Sequence, residues 1–255
     1  AIGEEAYERC GSNQPHIVEM RRDADSGTSY LRILQGDTGR LAWQTSLGDV
    51  GEPRVAPVVV DADDDGVSEI LVAVEGPPGV NVELWQPSLT CGPAGWTTSG
   101  HTSEKRWTIF DDTLTLGKNS ADNLFGSSNE DVMSQLMIAE MDGISPPELV
   151  VVGYDSSSGR PRVIAIPIIV TSSAPDIIWD VELDKGTHAS DPSWLPGTGS
   201  TGSVLLTTIN EDSGSMWIWR LDGSTGSLVW AGTDLGVSDG DTRVPHRRLP
   251  GVLPT

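Results

Sequence analysis

The sequence predicts an all-β chain built from repeated four-stranded antiparallel sheets. Three observations carry that expectation. The segment 34–43, Leu-Gln-Gly-Asp-Thr-Gly-Arg-Leu-Ala-Trp, aligns without gaps on 221–230, Leu-Asp-Gly-Ser-Thr-Gly-Ser-Leu-Val-Trp, sharing Leu, Gly, Thr, Gly, Leu and Trp. Trp43, Trp107, Trp179 and Trp230 recur in strand-like stretches at spacings of 64, 72 and 51 residues, which sets a repeat of roughly 60 residues. Between these marks β-branched and aromatic residues alternate with polar ones, Gly, Pro, Asp and Ser clusters separate the runs, and helical periodicity is absent.

Taken in order, residues 1–50 form a partial unit with strands expected over 16–20, 29–34 and 40–45 and no convincing strand ahead of them. Complete units follow at about 51–112, 113–184 and 185–235. The best-defined has strands at 55–60, 69–74, 80–85 and 105–110, and the next at 135–139, 148–153, 162–169 and 177–183. The third has a weak first strand near Trp194, then 204–209, 216–221 and 227–230, and residues 244–255 resemble a first strand without its second. Four-stranded sheets at this spacing are the signature of β-propeller blades, so the expected fold is one propeller domain over 1–255 with about four blades. In one arrangement the C-terminal strand completes the N-terminal blade and seals its edge. The same segments also fit a piece of a larger ring, or a filament in which one copy's terminal strand completes its neighbour.

Composition narrows the partners. Sixteen basic against 37 acidic residues leave a formal charge of -21, which repels polyanions and argues against nucleic acid or an anionic membrane surface. The longest apolar run, 163–170, is short and contains Pro167, so no membrane insertion is expected. The chain starts at Ala1 without a charged-then-apolar leader, so a secretion signal is either removed or outside it. Cys10 and Cys91 are either one disulfide formed in an oxidising compartment or two separate thiols.

The sharpest local signal is Asp61-Ala-Asp63-Asp-Asp65-Gly66-Val67-Ser-Glu69, between the first two strands of the best unit. Asp61, Asp63, Asp65 and Glu69 at positions 1, 3, 5 and 9, with the Val67 carbonyl at 7, can wrap a hard cation in oxygens, and Gly66 permits the tight turn. That donor set suits Ca2+ better than the smaller, stricter Mg2+. In the next unit Glu140, Asp142 and Glu148 keep positions 1, 3 and 9, but Ile144 stands at 5 and the turn glycine is displaced, so a second site would be weak at best.

Residues 56–72, Ala-Pro-Val-Val-Val-Asp-Ala-Asp-Asp-Asp-Gly-Val-Ser-Glu-Ile-Leu-Val, resemble an FG-GAP/VCBS repeat of integrin-type propellers, and 37–43 and 224–230 resemble the blade-closing motif of PQQ-like propellers. The resemblance implies an extracellular or cell-surface propeller whose calcium stiffens a blade loop, serving adhesion or structural assembly. Its partners would be a protein or carbohydrate ligand or further copies of itself. Only one loop is intact where the family usually has several.

No enzymatic constellation is legible: His16, His101, His188 and His246 fall at unrelated positions in their units, and no nucleophile elbow occurs. The chain is therefore expected not to be an enzyme. The best catalytic alternative is the propeller of a calcium-dependent, rhamnogalacturonan-type polysaccharide lyase. Trp43, Trp107, Trp179 and Trp230 are expected in cores between sheets, while Trp85, Trp96, Trp194, Trp217 and Trp219 include candidates for exposed sugar platforms.

Overall fold

A computed structural model describes residues 3–5, 16–48, 55–65, 68–76, 79–87, 91–92, 95–96, 103–118, 132–133, 136–143, 146–170, 173–197, 202–210 and 213–237. These residues are all-β, with no helix among them. The chain falls into two compact units, 1–112 with 169–174, and 113–168 with 175–255.

The first unit holds two meandering antiparallel sheets. One runs β1 (Gly3–Glu5), β2 (His16–Arg22), β3 (Ser29–Gln35) and β4 (Leu41–Gly48) in that order. The other runs β5 (Val58–Val60), β6 (Glu69–Gly76), β7 (Gly79–Pro87) and, after the two-residue ribbon β8 (Cys91–Gly92) and β9 (Gly95–Trp96), β10 (Ser103–Asp111). Val18, Leu31, Ile33, Ala42 and Trp43 of the first sheet and Val59, Ile70, Val72, Val74 and Trp85 of the second form a single apolar cluster. Alternation makes this possible, since every second residue of a strand faces the same side.

The second unit repeats the plan. Its third sheet comprises β11 (Leu114–Thr115), β14 (Leu136–Ala139), β15 (Glu148–Asp155), β16 (Pro161–Pro167) and β17 (Trp179–Glu182), with the ribbon β12 (Gly117–Lys118) and β13 (Val132–Met133) beside it. Both β11 and β14 pair with β15. The fourth sheet has β18 (His188–Ala189) and β19 (Ser193–Leu195) on one side of β20 (Ser203–Ile209), followed by β21 (Ser215–Asp222) and β22 (Leu228–Val237). Val150, Val152, Val163, Ala165 and Trp179 share a cluster with Val204, Leu206, Trp219 and Leu221. The central strand β15 is buried on both faces over 148–154, which is why 149–152 read as an uninterrupted apolar run.

One hairpin turn is used five times among the described residues. It starts at Asp23, Gln35, Asp155, Asn210 and Asp222, with Ser or Thr at the fourth position and Gly at the fifth. In each, the glycine N–H returns to the first carbonyl at 2.7–2.9 Å, and the first N–H meets the sixth carbonyl at 2.8–2.9 Å. The Ser or Thr hydroxyl accepts the sixth N–H at 3.2–3.3 Å. The glycines have φ of 64–72°, a left-handed geometry that other residues resist. The sequence match of 34–43 with 221–230 exposed only two of these turns, because the other three lack its flanking Leu and Trp.

Three expectations need correction. The first sheet has its own outer strand, β1, paired Gly3↔Val18 and Glu5↔His16, in the place expected for the C-terminal strand; residues 244–255 lie outside the described residues. Trp43, Trp107 and Trp179 are buried, but Trp230, the fourth of the series, is 42% exposed. Of the other tryptophans, none described is exposed. Trp219 and Trp85 are buried with their indole N–H on Thr208 Oγ1 (2.8 Å) and Glu83 Oε2 (2.9 Å). Trp194 and Trp217 pack partly buried against the core of the second unit, while the Trp96 side chain lies outside the described residues.

Candidate metal centre

The loop between β5 and β6 brings Asp61, Asp63 and Asp65 together, with one carboxylate oxygen from each within 4.8 Å of the others. Its backbone explains the convergence. The Asp65 N–H points at Asp61 Oδ1 (3.1 Å) and at Asp63 Oδ1 (3.3 Å), so both carboxylates fold over one amide. Asp64 has φ 57°, the left-handed geometry that Asp tolerates better than most side chains. Gly66 and Val67, the expected turn glycine and carbonyl donor, lie outside the described residues.

Glu69 has a different place from the three aspartates. Its side chain is fully buried at the start of β6, where Oε2 accepts the Ala62 N–H at 3.0 Å and Oε1 accepts Gln86 Nε2 at 3.1 Å. Gln86 Oε1 in turn accepts Arg106 Nε at 3.0 Å, carrying the brace from the loop across β7 to β10. Burial pushes the Glu69 carboxyl up to about 7; the Ala62 N–H opposes this, and the charges of Asp63, Asp65 and Asp61 reinforce it. Glu69 therefore latches the loop, and its ionised form is disfavoured beside the charges of Asp63, Asp65 and Asp61.

The loop between β14 and β15 has the same construction. Glu140, Asp142 and Glu148 also offer oxygens within 4.8 Å of one another. Glu148 Oε2 accepts the Met141 N–H at 2.7 Å, the counterpart of the bond from Ala62 to Glu69, and burial again lifts its carboxyl to about 7, opposed by that N–H. Position 2 plugs the core in both loops, Ala62 and Met141 being buried. Gly143, with φ 78°, occupies position 4, where the first loop has Asp64. The glycine that looked displaced in sequence thus serves the left-handed position common to both loops. Ile144 lies outside the described residues.

Three clustered carboxylates supply hard oxygen donors of the kind that hold Ca2+, and the first loop offers an aspartate at position 5 that the second lacks. Of the other residues singled out, His16 and His188 are buried in β2 and β18, whereas His101 and His246 lie outside the described residues. Cys10 also lies outside them and Cys91 is described in its backbone alone, so the disulfide expectation falls there too. No described helix is long and apolar enough to cross a membrane.

No protein-family model matches the chain, and no curated protein matches it. Among solved structures, the crystal structure of the rhamnogalacturonan lyase YesW aligns over 90% of this chain and 50% of that one, with a TM-score of 0.48 and 14% identity. The chain spans about half the length of that protein.

Proposed function

We propose that this chain is an extracellular or cell-surface calcium-binding module of the β-propeller type, FG-GAP/VCBS-like, that serves adhesion or assembly and is not a catalyst. The observation that carries the reading is the convergence of Asp61, Asp63 and Asp65 on a loop already wound by Asp64 and latched by Glu69. Four antiparallel sheets, each containing at least three strands consecutive in the chain, support the blade architecture. Calcium would cancel the mutual repulsion of the loop carboxylates and tie the β5–β6 hairpin down, leaving a rigid sheet from which loops can engage a protein or carbohydrate.

Calorimetric titration of the full chain, stripped with EDTA and dialysed, tests this. One strong Ca2+ site is expected, with a dissociation constant on the order of 10⁻⁴ M, typical of extracellular modules, and with Mg2+ weaker. Asp63→Asn should weaken Ca2+ at least about tenfold, because it removes one of the few charged ligands. Glu140→Gln should leave the strong site unchanged. A titration that stays flat into millimolar calcium overturns the reading.

A further inference from the structure

One buried tryptophan shows how an indole can cover such a turn. Trp179 of β17 lies on the turn 222–227: its Nε1 donates to the Gly223 carbonyl at 2.7 Å, and a Cβ on Gly226 would fall 2.8 Å from its ring. The turn 35–40 of the first sheet has the same hydrogen bonds and the same left-handed glycine, Gly39, yet a Cβ there would meet nothing within 4 Å. Gly36 and Gly39 are exposed where Gly223 and Gly226 are buried. Among the described residues the turn 35–40 thus has no indole over its glycine, and Trp230 is an exposed indole. Leu228, Val229 and Leu235 of the same strand are also exposed.

Charge distinguishes Trp230 from the buried tryptophans. Across the ladder, Trp43, Trp107 and Trp179 stand opposite Ile33, Leu84 and Ala165, whereas Trp230 stands opposite Arg220. The Arg220 guanidinium lies 5.4 Å from the Trp230 ring centroid, and its Nε is held by Ser203 Oγ at 2.9 Å. The bare turn carries an exposed Asp37 where the turn 222–227 has Ser224. The indole's side thus presents a cation and the turn's side an anion, so the two surfaces are complementary in charge as well as shape.

We infer that Trp230 of one copy seats on the turn 35–40 of a second copy, joining copies head to tail with Arg220 facing Asp37. The inference names the partner within the assembly reading above, but it rests on the indole and the turn and not on calcium. Since the two surfaces differ, the contact is heterologous and propagates into a ring or an open filament.

Sedimentation velocity of the full chain over a concentration series, in calcium and in EDTA, tests it. The wild-type chain should associate reversibly, and Trp230→Ala should weaken association by at least about 30-fold, as expected for a central aromatic anchor. Trp230 is exposed, so this variant should keep its far-UV spectrum. Arg220→Asp and Asp37→Arg should each weaken association, and mixing these two variants should restore it, because every junction in an alternating chain then pairs opposite charges. A wild-type chain that stays monomeric overturns the inference, as does association that Trp230→Ala leaves intact. So does charge rescue within a single chain, seen as a concentration-independent gain in stability of the Arg220→Asp/Asp37→Arg double variant over either single one. A chain that binds calcium yet stays monomeric would overturn this inference alone.

Discussion

The glycines at the fifth position of the hairpin turns separate two effects that are usually entangled. Gly39 and Gly226 have nearly equal φ, 64° and 68°, and the same turn hydrogen bonds, but the Trp179 ring abuts only Gly226. Alanine at either position costs the left-handed conformation, about 1–2 kcal/mol. Gly226→Ala must also displace a buried indole that donates to Gly223, so its loss in urea unfolding should exceed that of Gly39→Ala by at least about 1 kcal/mol. Equal losses would mean that the indole yields freely. At Asp155, hydrogen bonds from the Ser157 hydroxyl and the Ser158 and Ser157 amides hold the carboxyl down at about 2, a sign that this side chain organises its turn. Such effects are legible from sequence in part. Asp or Asn followed by Ser or Thr and Gly is a turn signature with a mechanism, yet nothing in it says which glycine will lie beneath a tryptophan.

Among the elements, the two acidic loops invite a pH experiment. Glu69 and Glu148 keep their protons up to about pH 7 when folded, against about 4.5 in the unfolded chain. Between those values the folded state binds more protons, so stability falls as pH rises through the window and stays at the lower level above it. Melting temperature in EDTA should therefore drop between pH 5 and pH 8. Calcium should reduce that drop, since a bound cation favours the ionised carboxyls, and Glu69→Gln should flatten the Glu69 share. A melting temperature that climbs across the window would sink this account of the latch. The carboxylate spacing of the first loop was plain in the sequence, and so was its weaker copy. The bracing role of position 9 was not, because the letter Glu does not show that its carboxylate will be buried and accept the Ala62 or Met141 amide.

For the whole molecule, net charge dominates. With 37 acidic and 16 basic residues, self-repulsion opposes the compact state, and screening should relieve it. Added sodium chloride in EDTA should raise the melting temperature gradually, whereas calcium should raise it at low concentration and saturate with its site; calorimetric scans along both titrations check this. The sequence by itself determined that the chain is all-β, roughly where each central strand lies, and which carboxylates share a loop. All of these follow from local alternation, turn chemistry and spacing within about ten residues. Tertiary structure alone decided that β1 pairs at the edge of the first sheet, that Glu69 is buried, and that Trp179 is covered by a turn while Trp230 is not. The physical reason is that strand pairing and burial depend on residues distant in the chain, so two tryptophans in similar local sequence acquire different surroundings when different neighbours pack over them.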